Sequence, residues 1–355
     1  MLLQVLGTAA GGGLPQWNCA CPGCAGARAH PGRRRLHAGL AVHAGGDRWY
    51  LVNATPDLGE QLERCPELLP DPEGDPRRTP VAGVLLTDAE LDHTLGIARL
   101  REARDGVEVY ATAPVERAVR ERLGLGAVLA PYTAVRWRRL TGTGVPLGAG
   151  AGVHVSAVPV SAKRPRYASD AASPAPGAAA TPTAAEAAAA PTAAEATAAP
   201  PAPAATGAAP TAADAAAAVA ATVDATPASD AWSVALCLRD TASGGTLLYA
   251  PALAVWSDAF EKAAQEADVV LVDGTFWDDD EPLRAGFSRR TATGMGHLPI
   301  TGPGGTAARL ARLPGRCLYT HLNNSNPLGD PDAEQHRQLA AWGLAVADER
   351  MVIEL

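Results

Sequence analysis

The chain lacks any run of 18 or more strongly apolar residues, so no transmembrane helix is expected. Its first residues, Met1–Gly7, carry no basic stretch and soon reach Gly11-Gly12-Gly13, which reads as a strand and turn rather than an export signal. A basic excess is lacking too. The chain has 30 Lys+Arg against 38 Asp+Glu, a formal charge of −8, and phosphate binding needs a face of the opposite sign. A nucleic-acid partner is therefore not expected. Cysteines are few: Cys19, Cys21, Cys24, Cys65, Cys237 and Cys317. Three crowd together and the rest are scattered. Without an export signal, this favours metal binding over a disulfide framework. The expectation is a cytoplasmic protein.

Residues 168–230 lack Lys and Arg and consist almost entirely of Ala, Pro, Thr and Ser. The hexad Pro-Thr-Ala-Ala-Glu-Ala starts at Pro182 and again at Pro191, and a variant at Pro210 puts Asp214 in the acidic place. Such a segment has almost nothing large to bury, and its prolines interrupt helices. It reads as a disordered Ala/Pro-rich insertion within one domain spanning 1–355. What remains is enough ordinary sequence for a sizeable core.

That remainder is strand-rich with interspersed helices. Short apolar strands are expected at 2–6, 40–43, 49–54, 81–86, 107–111, 153–160, 232–238, 246–249, 268–272 and 317–320. Helices are expected at 258–266 and 331–342, with a closing hairpin after Gly343. Polar clusters recur where apolar strands end: at Asp88–His93, at Asp273 and at His321. Rigid strands that present functional groups on short loops are a common way to build a site. Two sheets with helices outside would bury such strands on both faces.

Four clusters carry chemistry. In Cys19-Ala20-Cys21-Pro22-Gly23-Cys24, three thiolates can converge on one soft divalent ion, with Pro22-Gly23 supplying the turn. A closed structural zinc site needs a fourth donor, and His30, His37 and the Asn323-Asn324 loop are the candidates. The second cluster, Thr87-Asp88-Ala89-Glu90-Leu91-Asp92-His93-Thr94, follows a buried strand. The third and fourth are Gly296-His297-Leu298-Pro299 and Tyr319-Thr320-His321-Leu322-Asn323-Asn324. Lys163-Arg164-Pro165-Arg166 reads either as an anion-binding edge or as a solvated turn.

The segments LGTAAGGGLPQWNCACPGC (6–24), VNATPDL (52–58), TDAELDHTLG (87–96), VDGTFWDDDE (272–281), MGHLPITGPGG (295–305) and YTHLNNSNP (319–327) resemble the coenzyme PQQ (pyrroloquinoline quinone) biosynthesis protein B family. The resemblance runs to Leu355, interrupted mainly by the Ala/Pro insertion. It implies an α/β fold, the four-layer αββα sandwich of the metallo-β-lactamase superfamily, and a Cys-x-Cys-x-x-Cys zinc site at Cys19, Cys21 and Cys24.

The chain departs from the wider superfamily's His-x-His-x-Asp-His motif. Asp92 and His93 match, whereas Asp88 and Glu90 replace the two leading histidines. Ser161-Ala162-Lys163 stands where a third histidine is expected, and Ala250-Pro251-Ala252 where a metal-bridging Asp is expected. Two ions then lack donors. Asp92, His93 and His321 would instead hold one ion, in the two-His, one-carboxylate pattern of non-haem Fe(II) oxygenases. The resemblance implies a role in PQQ biosynthesis. Its expected form is iron-dependent, O₂-using hydroxylation of the tyrosine ring of a Glu–Tyr-derived intermediate. The rival reading is a carrier that moves PQQ or its precursor toward the periplasm, and a dinuclear zinc hydrolase fits least. In the hydroxylase reading His297 and Asp273 orient substrate or shuttle a proton. Glu90 and Asp88 are ligands, orienting groups or substrate contacts, and Lys163 and Arg166 meet substrate carboxylates. The expected partners are that small molecule and other proteins of PQQ biosynthesis, and the chain is a candidate homodimer.

Overall fold

The computed structural model describes residues 1–148, 152–169 and 212–355. The chain forms fourteen described strands: β1 (Leu2–Gly7), β2 (Gly39–His43), β3 (Trp49–Val52), β4 (Val81–Leu85), β5 (Val107–Ala111), β6 (Val135–Arg139), β7 (Val145–Pro146), β8 (Val153–Ser161), β9 (Ser233–Asp240), β10 (Thr246–Ala250), β11 (Val269–Asp273), β12 (Arg316–Thr320), β13 (Ala345–Val346) and β14 (Val352–Glu354). They build two sheets of seven, ordered β14-β1-β2-β3-β4-β5-β6 and β13-β12-β11-β10-β9-β8-β7.

The central strands are continuous apolar runs, as burial on both faces demands. Leu3, Val5, Tyr50 and Val52 of one sheet face Leu236, Leu238, Tyr249 and Leu271 of the other in a shared core. Each fully buried Leu there contributes roughly 2 kcal/mol of apolar transfer. A second core lies outside the first sheet, around Leu51, Val84, Val109 and Val115. A third lies outside the second sheet, around Val270, Phe260 and Leu339. Short helices cap these outer faces: Leu58–Glu63 and Ala113–Arg117 on one side, Asp258–Glu266 and Glu334–Ala341 on the other. The result is the expected four-layer αββα sandwich.

Pairing direction decides where the chemistry sits. β3, β4 and β5 pair in parallel, as do β10, β11 and β12. β1 and β8 each reach these ladders through two antiparallel steps, so they run the same way as the parallel strands. The loops that follow β1, β4, β8, β11 and β12 therefore leave from the C-terminal ends of co-directional strands, where open α/β sheets build their sites. Ala9 stitches the sheets together there, bridging to His37 and to Leu322.

Several expectations need correction. The end of the chain is no hairpin: β13 pairs with β12 in one sheet and β14 with β1 in the other. The acidic stretch after β4 is not wholly loop, since Leu91–Thr94 forms a helical turn. Most of the segment expected to be disordered lies outside the described residues. Its ends, however, are structured. Ala168 joins the outer core of the first sheet, and Ala212–Ala225 is a helix. That stretch is Ala-rich and free of proline from Thr211 to Thr226, which removes the helix-breaking argument locally. Val223 on this helix is fully buried.

Candidate metal centre

The residues at this end of the sandwich form a chain of hydrogen bonds with two bare nitrogens at its middle. His93 sits in the helical turn after β4 and is buried. Its Nδ1 lies 2.9 and 2.8 Å from the two carboxylate oxygens of Asp88. Asp88 is itself fixed by the Glu90 backbone N–H at 2.9 Å and the Thr87 hydroxyl at 3.0 Å. Asn53 in turn donates to Thr87 Oγ1 at 3.1 Å. With Nδ1–H given to Asp88, His93 Nε2 points at Asp92 Oδ2, 3.5 Å away.

His321 mirrors this arrangement from the other sheet. It follows β12 with φ of 60°, a left-handed backbone that non-glycine residues adopt at a cost and that clusters at functional sites. Its Nδ1 donates to Thr275 Oγ1 at 2.8 Å. Its Nε2 stands 3.6 Å from the same Asp92 oxygen. Both Nε2 atoms are buried and have no hydrogen-bond partner. Unpaired buried polar atoms are rare and costly, and two aimed at one carboxylate mark a place for a cation. Donors about 2.1 Å from a shared ion, at tetrahedral or octahedral angles, stand about 3.0–3.4 Å apart. The two Asp92 distances lie just above that range, and the three donor atoms all lie within 4.8 Å of one another.

The electrostatics agree. Burial opposes charge on His93, but Asp88 and Asp92 outweigh it and raise its pKa to about 9. Burial lowers the pKa of His321, partly offset by Asp92 and Asp273. Burial also works against the Asp92 carboxylate, yet His93 and His321 hold its pKa well below the usual range. Asp88 and Asp92 thus favour positive charge at His93, where a cation would compete with a proton.

Beside it, His297 Nδ1 lies 2.7 Å from Asp273 Oδ2 and 3.1 Å from Thr275 Oγ1. The Leu253 N–H donates to Asp273 Oδ2 at 2.8 Å, and the Thr275 hydroxyl donates to Asp273 Oδ1. The His297 and His321 rings stack with centroids 5.7 Å apart. Asp273, His297 and His321 thus form a second group of potential ligands that shares His321 with the first. Here, however, both oxygens of Asp273 are engaged, by the Leu253 N–H, the Thr275 hydroxyl and His297 Nδ1, so its carboxylate is already held by hydrogen bonds.

At the rim, Lys163 Nζ approaches Glu90 Oε1 at 3.6 Å, and burial raises the Glu90 pKa despite Lys163. Arg166 lies exposed in the turn Arg166–Ala168 beyond it. Gly11 backs the cluster. A Cβ there would stand 3.1 Å from Asp92 Oδ2, so the bare glycine lets the loop after β1 close on that carboxylate.

The cysteine cluster is also formed. Cys19, Cys21 and Cys24 gather as a potential ligand set. Burial pushes the Cys24 thiol up to about 11. In Cys21 hydrogen bonds, led by the Cys24 backbone N–H, outweigh burial and lower the pKa. Of the fourth-donor candidates, His30 is exposed. His37 is engaged by Asp57 Oδ2 at 3.0 Å and the Gly11 carbonyl at 3.3 Å. The Asn324 carboxamide sits 3.2, 3.4 and 3.3 Å from the sulfurs of Cys19, Cys21 and Cys24.

The sequence alone gives no role to Thr275, Asn53 or Gly11, and Thr87 stands in it only as the first residue of the second cluster. Threonine and asparagine after strands are common turn residues, and nothing in their spacing separates a histidine's partner from a turn former.

Two apposed sheets with site loops at one end define a metallo-β-lactamase-type domain, and the chain matches the beta-lactamase superfamily domain family over residues 48–185 and 180–322. It is 35% identical to coenzyme PQQ synthesis protein B of Azoarcus sp. (strain BH72) over the whole of both chains. It is 34% identical to that of Cupriavidus necator over 99% of each. The chain belongs to the coenzyme PQQ synthesis protein B family. A crystal structure of Zn(2+)-bound PqqB from Methylobacterium extorquens covers all of both chains with a TM-score of 0.75 at 28% identity. A diphosphatase of the PhnP family shares the fold at 17% identity and a TM-score of 0.58, covering all of this chain and 97% of that one.

Proposed function

We propose that this protein acts in PQQ biosynthesis by hydroxylating the tyrosine ring of a Glu–Tyr-derived intermediate, with Asp92, His93 and His321 holding one Fe(II). The observation that carries this reading is the pair of buried, unpartnered Nε2 atoms aimed at one Asp92 oxygen. Two imidazoles and one carboxylate leave positions open and suit iron–oxygen chemistry. Bound Fe(II) would supply the activation of O₂ beside the ring.

The protein's own groups do the rest. Asp88 and Thr275 take the Nδ1 protons of His93 and His321, which leaves both Nε2 lone pairs facing inward. Asp273 takes the Nδ1 proton of His297, so His297 Nε2 is the atom able to accept a proton from the substrate phenol or ring carbon. Lys163 at the rim, whose Nζ lies 3.6 Å from Glu90 Oε1, draws in a substrate carboxylate. Arg166, further out, meets the second carboxylate. One oxygen atom enters a ring C–H bond and the other leaves as water, so an added reductant must supply two electrons. Cys19, Cys21 and Cys24 hold a structural Zn²⁺.

The test is to load Fe(II) without oxygen, then add O₂, a mild reductant and a tyrosine-containing diacid. A ring-oxygenated product is expected, and His93→Ala should abolish it. Tight ligand binding without turnover, unaffected by His93→Ala, would replace this reading with the carrier.

A further inference from the structure

The geometry points to Asn324 as a mechanical link between the two metal sites: its carboxamide oxygen is the fourth donor at the cysteine cluster, and filling that cluster sets the position of His321. This inference rests on the reading of Asp92, His93 and His321 as an ion site.

The chain between the sites is short and tied down. His321 and Asn324 are three residues apart on the loop that leaves β12. At its near end the Gly274 N–H donates to the Thr320 carbonyl at 2.8 Å. At its far end the Asn326 carboxamide donates to the Gly274 carbonyl at 2.7 Å. Between them, the Asn323 N–H donates to the Thr275 carbonyl at 3.1 Å, and Thr275 is the residue whose hydroxyl receives His321 Nδ1–H. On the other side, Leu322 exchanges hydrogen bonds of 2.8 Å with Thr8 and Ala10. That segment runs through Gly11, against Asp92, to Cys19.

Asn324 is buried and is enclosed by the cysteine loop. Its carbonyl accepts from Cys21 Sγ at 3.5 Å, and a Cβ at Gly23 would stand 2.3 Å from that oxygen. Its carboxamide lies 3.2 to 3.4 Å from all three sulfurs. Which end of a carboxamide faces inward follows from its partners. Thiol groups take the NH₂ end as a donor, whereas a cation takes the oxygen. An ion bound by three thiolates therefore turns and grips Asn324, and the backbone that holds His321 in its left-handed conformation is fixed by the same grip. Two of the three donors of the active centre, Asp92 through Gly11 and His321 through Asn324, lean on the cysteine-bearing segments. Such coupling is reciprocal and commonly amounts to about 5–150-fold in affinity.

Metals of different softness separate the two sites. Zn(II) or Co(II) prefers the thiolates, whereas Mn(II), a harder ion, avoids them and takes a site with a carboxylate and open positions for water. Full-length protein stripped of metal is compared with protein carrying one equivalent of Zn(II), and Mn(II) binding is followed by loss of the free-ion EPR signal. Zn(II) should tighten Mn(II) binding about fivefold or more. In Asn324→Ala the ratio should fall toward one, while Co(II)–thiolate charge-transfer absorption shows the cysteine site still filling. Asn324→Asp, which keeps an oxygen donor, should restore the ratio. Equal Mn(II) affinity with and without Zn(II) would overturn the inference, as would a wild-type ratio in Asn324→Ala. Neither readout involves O₂, so failure of the hydroxylase reading is separable from failure of this one.

Discussion

Thr275 shows how one hydroxyl can set the behaviour of a site. It donates to Asp273 Oδ1 and accepts from His321 at 2.8 Å, and it stands 3.1 Å from His297 Nδ1. Thr275→Val keeps the shape and removes the hydroxyl. His321 is then free to rotate or to change tautomer, and metal affinity at the Asp92–His93–His321 centre should drop about 10–100-fold, as for other partners of ligating histidines. Thr275→Ser should restore most of it. Calorimetric titration with Mn(II) measures both, and an unchanged affinity in the valine variant would refute the assignment. The structure brings together Asp92, His93 and His321, which the sequence offered through the match of Asp92 and His93 to the superfamily pattern and the place of each cluster after an apolar strand. Thr275 was not legible there, because a threonine two residues past an aspartate looks like any turn. Asp88 stands where the superfamily pattern has a histidine, and the geometry makes it the partner of His93 Nδ1.

At the scale of elements, most strands were legible because both faces are buried, so their apolar runs are unbroken. The edges were not. β6 alternates exposed Arg136 and Arg138 with half-buried Val135 and Trp137, and that charged pattern, which discourages edge pairing, hides the strand. The last two strands sit side by side in sequence but in different sheets, and local patterning cannot express that. The helix Asp258–Glu266, in contrast, declared itself at its first turn. Ser257 Oγ accepts from the Phe260 N–H at 3.1 Å, and Phe260 anchors the helix in the third core. Ser257→Ala should cost about 1 kcal/mol, read as a lowered Tm with the fold and metal binding retained.

For the whole molecule, pH dependence comes from buried carboxyl groups acting in opposite directions. Glu281 accepts from Ser325 and from the Trp277 N–H, each at 2.6 Å. Burial, only partly offset by these bonds, raises its pKa from 4.5 to about 7. The folded state therefore favours its protonated form. That stabilisation is complete below about 4.5 and is lost as pH rises through about 7, a change of up to about 3 kcal/mol. Asp57 opposes it: the His37 hydrogen bond outweighs burial and lowers its pKa, so its contribution is present above 3.8 and fades in acid. Glu281→Gln should reduce the fall in Tm between pH 4.5 and 7, leaving the share of Glu349, whose pKa burial also raises to about 7, and leave the acid limb unchanged. A variant with the wild-type slope would show that another group controls this range.

The shared imidazole limits how this protein can be altered. His321 faces Asp92, and the ion proposed there, with one nitrogen and, through Thr275, the His297–Asp273 pair with the other. In the proposed function, metal preference and proton handling are therefore properties of a single ring. A substitution chosen to change the metal would then carry the pH–rate profile along with it, and one chosen to change that profile would shift metal preference.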